Sequence, residues 1–190
     1  MCRNELQSFD PKWYPELRTL YLDENRISSL SGVRKLRLLE NFSARHQGEK
    51  TKTNIAIHGL SELRKVYISG SHPQSPQDTL TNIGNPVPLR LDRPFYNLQY
   101  LELASIKLST LPADFATSVP NVRILNLSYN ALKDVTPLRG MVLLKRLFLI
   151  GNRLSSLSDG TTDTLLSLAE LQVLDLRYSP PLPTTSLMVA

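Results

Sequence analysis

With 190 residues, 41% of them hydrophobic and only 7% aromatic, the chain is long enough to bury one sizeable core. No uninterrupted apolar run approaches the roughly 18 residues that a membrane span requires, and the single cysteine, Cys2, excludes an internal disulfide. A net charge of +5 raises the question of nucleic acid, but Lys and Arg are scattered among acids in stretches such as VRKLRLLE and LLKRL, which reads as a mildly basic solvated face.

The N-terminal MCRNELQSFD has neither an apolar h-region nor a small-residue cleavage site, and with the lone cysteine it points to a reducing, intracellular setting. Glycosylation sequons at Asn41 and Asn126 carry weight only in a secreted chain. Residues 1–16 are expected to form a partial cap, with Trp13 and Tyr14 lying over the open edge of the first strand.

From Leu17 a template begins. LRTLYLDENRI alternates apolar and polar residues as a half-buried strand does, then places Asn25 where the chain must bend. An asparagine past a short strand can turn the chain and bond backbone groups that have lost a ladder partner. The same template returns as VRILNLSYNAL from Val122 with Asn130 and as LKRLFLIGNRL from Leu144 with Asn152, while LQVLDLRYSPP from Leu171 has Ser179 in the asparagine place. Weaker copies start at Leu39, Leu63 and Leu98. Successive starts lie about 22 to 27 residues apart, except between Leu63 and Leu98.

That spacing predicts a leucine-rich repeat horseshoe, an α/β solenoid of about seven repeats with a concave parallel sheet. The convex side should return through short helical or 3₁₀ turns, since Ile27, Leu30, Val33 and Leu36, and again Leu132, Val135 and Leu138, fall three apart. The unit from Leu98 is expected to bury Leu111, Phe115 and Val119, and TDTLLSLAEL reads as a short helix capped by Thr162 or Asp163. The repeat domain spans residues 17–179 with a Pro-rich loop insertion at about 71–95; RHQGEKTKTN is a second loop, and residues 180–190 form a disordered tail. Neither end carries a full polar cap, as a fragment or truncated gene model would look.

Convergent catalytic groups are missing from the pattern. His46, His58 and His72 lack metal-ligand spacing, and there is no Walker loop, G-x-G-x-x-G or nucleophile elbow. No enzyme, cofactor, metal or small-molecule substrate is expected. The repeats build a surface instead: with the leucines inward, the residues between them stack into outward-facing columns. One runs Tyr21, Ser43, Tyr67, Glu102, Asn126, Phe148, Asp175; the column before it runs Thr19, Asn41, Lys65, Tyr100, Ile124, Arg146, Val173. The column after runs Asp23, Arg45, Ser69, Ala104, Ser128, Ile150, Arg177. Aromatic and apolar residues beside arginine are the ingredients of a protein-binding hot spot. The expected binding residues are Tyr21, Tyr67, Tyr100, Ile124, Tyr129, Arg146, Phe148, Ile150, Arg177 and Tyr178. Ser75-Pro76 is a minimal proline-directed phosphorylation context in the long loop.

The segments WYPELRTLYLDENRISSL, NALKDVTPLRGMVLLKRLFLIGNRLS and LQVLDLR resemble the C-terminal repeats of the fungal spindle-pole-body scaffold of the septation initiation and mitotic exit networks, whose animal relative is centriolin. The resemblance covers about Trp13 to Arg177. It implies a non-catalytic scaffold that contributes to anchoring at the spindle pole body, in the cytoplasm and cytoskeleton, with a protein partner there and no nucleic acid or membrane. The N-terminal docking region of that family is not represented here. A different intracellular adaptor, such as a phosphatase-regulating repeat protein, and a receptor fragment are the alternatives.

Overall fold

In a computed structural model, the described residues are 5–27, 29–46, 57, 59–70, 91, 93–154 and 159–177. Seven strands make one parallel sheet in chain order: β1 (Thr19–Tyr21), β2 (Asn41–Ala44), β3 (Lys65–Ser69), β4 (Tyr100–Ala104), β5 (Ile124–Asn126), β6 (Arg146–Phe148) and β7 (Val173–Asp175). Parallel neighbours need a crossover on every step, and here each crossover is the return limb of one coil. The returns contain 3₁₀ turns at Ser31–Lys35 and Thr136–Leu138, a single helical turn α1 (Phe115–Ser118) and the longer helix α2 (Asp159–Leu166). This helix begins before the expected Thr162 or Asp163 cap, so that Thr161 and Thr164 are both buried against the coil.

The leucine spacing exists because each coil is a thin layer that can bury its apolar side only against its neighbours. Leu20, Phe42, Val66, Leu101, Leu125 and Leu147 occupy one register line and are 0–7% exposed. Burying each such side chain stabilises the fold by about 1.5–3 kcal/mol relative to solvent. Leu174, on the same line in β7, is 39% exposed because no described coil packs on its outer side. On the return limbs Ile27, Leu30, Val33, Leu36, Leu132, Val135, Leu138, Leu111, Phe115 and Val119 are all buried.

The bend asparagines do more than turn the chain. Asn130 donates to the carbonyls of Leu127 (2.8 Å) and, one coil earlier, Leu103 (2.7 Å), and its Oδ1 accepts from Ile106 and Leu108 N–H at 3.1 Å each. Asn152 repeats the arrangement one coil on, donating to Leu149 and Leu127 and accepting from Leu132 N–H. Asn25 bonds Leu22 and Asp23 carbonyls in its own coil and accepts from Leu6 N–H. A buried amide with every partner supplied by backbone fixes the stacking distance of adjacent coils. The residue before each asparagine is left-handed: Glu24, Tyr129 and Gly151 have φ of 56°, 57° and 64°.

At the N-terminal end, Pro11 is buried, Phe9 packs on the core, and a Cβ on Gly32 would lie 3.1 Å from Pro11 Cδ. Trp13 and Tyr14, expected over this edge, are instead 72% and 53% exposed. Asp10 accepts from Lys12 N–H and starts the 3₁₀ turn Pro11–Trp13, and the Tyr14 ring stacks on Phe9 at 6.0 Å between centroids. The expected tail and most of the expected insertion lie outside the described residues.

Candidate protein-binding surface

The strand register sets side by side the residues that the leucine spacing had aligned: Tyr21, Ser43, Tyr67, Glu102, Asn126, Phe148 and Asp175 form one row, and Thr19, Asn41, Lys65, Tyr100, Ile124, Arg146 and Val173 another. These rows are not uniformly open. Ser43, Ser69, Ala104 and Ser128 are buried although they lie on the inner wall, small side chains set between long ones, and Glu102 is buried beneath the Arg45 and Tyr100 groups that bond it. The long ones stay accessible: Tyr21 is 65% exposed, Arg146 and Arg177 are exposed, and Tyr67, Tyr100, Ile124, Tyr129, Phe148 and Ile150 are half-buried. Tyr178 and Ser75 lie outside the described residues.

The N-terminal half of the wall is organised around an ion pair. Arg45 donates from Nε to Glu102 Oε1 at 2.8 Å and from Nη2 to Oε2 at 2.9 Å, a two-bond fork across the intervening β3. To make it, the arginine passes over the Tyr67 ring, with Cζ 4.3 Å from the centroid, a cation–π contact. Tyr67 in turn meets Tyr100 at 4.4 Å between centroids, and Tyr100 donates its hydroxyl to Glu102 Oε2 at 3.2 Å. Asp23 closes the group by accepting from Ser43 Oγ at 2.6 Å and Arg45 N–H at 2.7 Å. Tyr21, Asp23, Ser43, Arg45, Tyr67 and Tyr100 line an open concavity of about 500 Å³.

The electrostatics arise from this geometry. The Glu102 hydrogen bonds raise the Arg45 guanidinium above its ordinary value and keep it charged. Burial, reinforced by the Glu102 carboxylate, pushes the Tyr100 phenol up to about 12, and burial likewise raises Tyr67. Arg45 therefore stays charged, and Tyr67 and Tyr100 stay neutral, through neutral pH. In the C-terminal half, Ile124, Phe148 and Ile150 present apolar atoms, and Arg177 is held by Asp175, whose carboxyl its hydrogen bonds lower. Among the described residues no group of three His, Cys, Asp or Glu could hold a metal ion, and no helix is long and apolar enough to cross a membrane.

The Arg45–Glu102 pair, 57 residues apart in sequence, was missed by sequence reasoning. Both residues stand in neighbouring aligned columns; their separation of two strands and two residues, about 12 Å between backbones, can be bridged by the two long side chains, and that was the available signal.

Residues 96–154 match the family model described as Leucine rich repeat. The fold is a leucine-rich repeat solenoid. Over 88% of its length the chain is 36% identical to the septation initiation network scaffold protein cdc11 of Schizosaccharomyces pombe, of which it spans 14%. It is 29% identical over 62% of its length to rat leucine-rich repeat-containing G-protein coupled receptor 5, of which it spans 12%. A leucine-rich repeat protein of Leptospira interrogans superposes on 95% of this solenoid and 43% of its own chain, with a TM-score of 0.68 and 20% identity, a likeness of fold alone. This solenoid is thus a leucine-rich repeat protein similar to the fungal septation initiation scaffold.

Proposed function

We propose that this repeat solenoid is a non-catalytic scaffold module that holds a protein partner on its concave wall, and that it serves septation initiation signalling at the spindle pole body. The observation that carries the reading is the wall itself: aromatic and apolar side chains from β1 to β6 stand half-open beside guanidinium groups, at positions that the core does not use. The Tyr67–Tyr100 pair is held by Arg45, which lies over the Tyr67 ring, and by Glu102, which accepts from the Tyr100 hydroxyl, so these rings are pre-ordered and lose little freedom on binding. The similarity of most of the chain to a septation initiation scaffold supplies the setting. Anchoring a larger assembly asks for binding without turnover.

The test is the position of a fluorescently tagged chain in dividing Schizosaccharomyces pombe cells. The reading expects foci at the spindle poles, lost in the Tyr67→Asp, Tyr100→Asp, Phe148→Asp triple variant while circular dichroism stays native. Diffuse signal from the parent chain would remove the spindle-pole assignment; foci unchanged in the folded triple variant would remove the surface.

A further inference from the structure

Along the first inner row, the register places Lys65 beside Tyr100, Tyr100 beside Ile124, and Ile124 beside Arg146. Lys65 and Arg146 are exposed, and neither has a carboxylate partner among the described residues. The inner-wall acids nearest to them are committed elsewhere: Glu102 to Arg45, Asp175 to Arg177, and Asp23 to Ser43 and the Arg45 backbone. Three strand spacings separate the two cations, about 14 Å, and the interval is filled by a ring and an aliphatic side chain.

The same edge of the sheet carries basic residues at four of its seven strands. Arg18, Arg64, Arg123 and Lys145 immediately precede β1, β3, β5 and β6, and Lys65 and Arg146 open β3 and β6. Among the described residues, only Glu40, shared by Arg18 at 2.7 Å and Arg64 at 3.4 Å, and Glu170, at 3.9 Å from Lys145, pair with them. Basic residues dispersed along the sequence therefore become one border when the coils stack.

Resting on the concave-wall reading above, we propose that the occupant of the wall is an acidic polypeptide segment: two carboxylate-bearing positions about 14 Å apart, near four residues in an extended chain, flanking an apolar centre that sits on Tyr100 and Ile124. Charge complementarity argues for this occupant, since two cations without carboxylate partners on either side of an apolar contact favour opposite charges and reject like ones. A nucleic-acid strand fits less well. The central position is aliphatic, and the two cations stand farther apart than successive phosphates.

The experiment is selection of a random 12-residue peptide library on the purified chain, with a single-stranded oligonucleotide run in parallel by fluorescence anisotropy. The proposal expects retained peptides enriched in Asp and Glu on both sides of an apolar centre. Affinity of the leading peptide should fall by about tenfold or more in Lys65→Glu, Arg146→Glu, and by less as salt rises. The double variant should select Lys and Arg instead. Retained peptides without acidic enrichment, no retained peptides, or an oligonucleotide bound more tightly than any of them would each overturn the proposal. Peptides that lose binding in Ile124→Asp but not in the charge-reversed variant would overturn the acidic occupant and leave the concave wall standing as the binding face.

Discussion

Arg45 reaches across the face of Tyr67 to clasp Glu102 with two hydrogen bonds of 2.8 and 2.9 Å, tying the second coil to the fourth over the top of the third. A pair in this position is asymmetric. The Glu102 side chain is 9% exposed and that of Arg45 34%, so removing the arginine strands a carboxylate that water can hardly reach, while removing the acid leaves a guanidinium that can turn outward.

Arg45→Ala is therefore expected to cost about 3 kcal/mol, and Glu102→Gln about 1 kcal/mol. The double replacement Arg45→Met, Glu102→Leu should recover most of the arginine loss, since neither charge is then left unpaired. Urea unfolding of the three variants checks the order; equal losses in both single variants would mean that the pair is solvated like a surface salt bridge.

Tyr100 gives the cluster a signature in alkali. An unfolded-chain tyrosine releases its proton near pH 10, whereas the folded phenol holds it to about 12. Within that window the folded state binds more protons, so the contribution is fully present below pH 10 and is lost as pH rises through the folded value. Tyr100→Phe should flatten the fall in unfolding free energy between about pH 10 and about pH 12 relative to the parent chain. Parallel curves would place the Tyr100 phenol in ordinary solvent.

Asn130 and Asn25 hold the same place in the repeat but serve different numbers of coils. Asn130 bonds four backbone groups at 3.1 Å or less, three of them in the preceding coil, whereas Asn25 bonds two carbonyls of its own coil and, outside it, the Leu6 N–H. Asn130→Ala should destabilise by about 3 kcal/mol or more and Asn25→Ala by about 1–2 kcal/mol, from the buried backbone groups left unsatisfied in each case. Denaturant midpoints of the two variants measure the difference.

Gly151 adopts φ of 64°, and a Cβ there would meet Tyr129 Cδ1 at 2.8 Å. Gly151→Ala is expected to cost about 2 kcal/mol, divided between backbone strain and this contact. Made on a Tyr129→Ala background, the same change should cost only the backbone part, about 1 kcal/mol, as a double-mutant cycle would show.

Much of this architecture was legible because a parallel solenoid repeats its demands. The leucines at Leu125 and Leu127 and their counterparts in other coils gave the strands, the coil order and the inner rows, since a two-residue period leaves no freedom in which side chains share a face. Three things were not legible, each for a reason of geometry. Ser43, Ser69 and Ser128 face the inner wall yet are buried, because how far neighbouring tyrosines and arginines fold over them depends on sheet curvature. Asn130 could be read as a bend residue, but its bonds to the coil before it depend on the stacking distance. The basic border is dispersed in sequence among Arg18, Arg64, Arg123 and Lys145, and assembles only when the coils align. The local signal at Trp13 and Tyr14 also misled in part, since hydrophobic residues ahead of a first coil suggest a lid, while Trp13 is 72% exposed and Tyr14, 53% exposed, stacks on Phe9 instead.

The central claim, that partners are gripped by the inner wall, is tested most directly by site-specific photocrosslinking in dividing Schizosaccharomyces pombe cells. A photoreactive residue would be placed in turn at Ile124, on the wall, and at Val142, an exposed residue of the return segment that precedes β6. Adducts of one defined mass from position 124 and none from position 142 are the expected result. The same adduct from position 142, with position 124 silent, would contradict it.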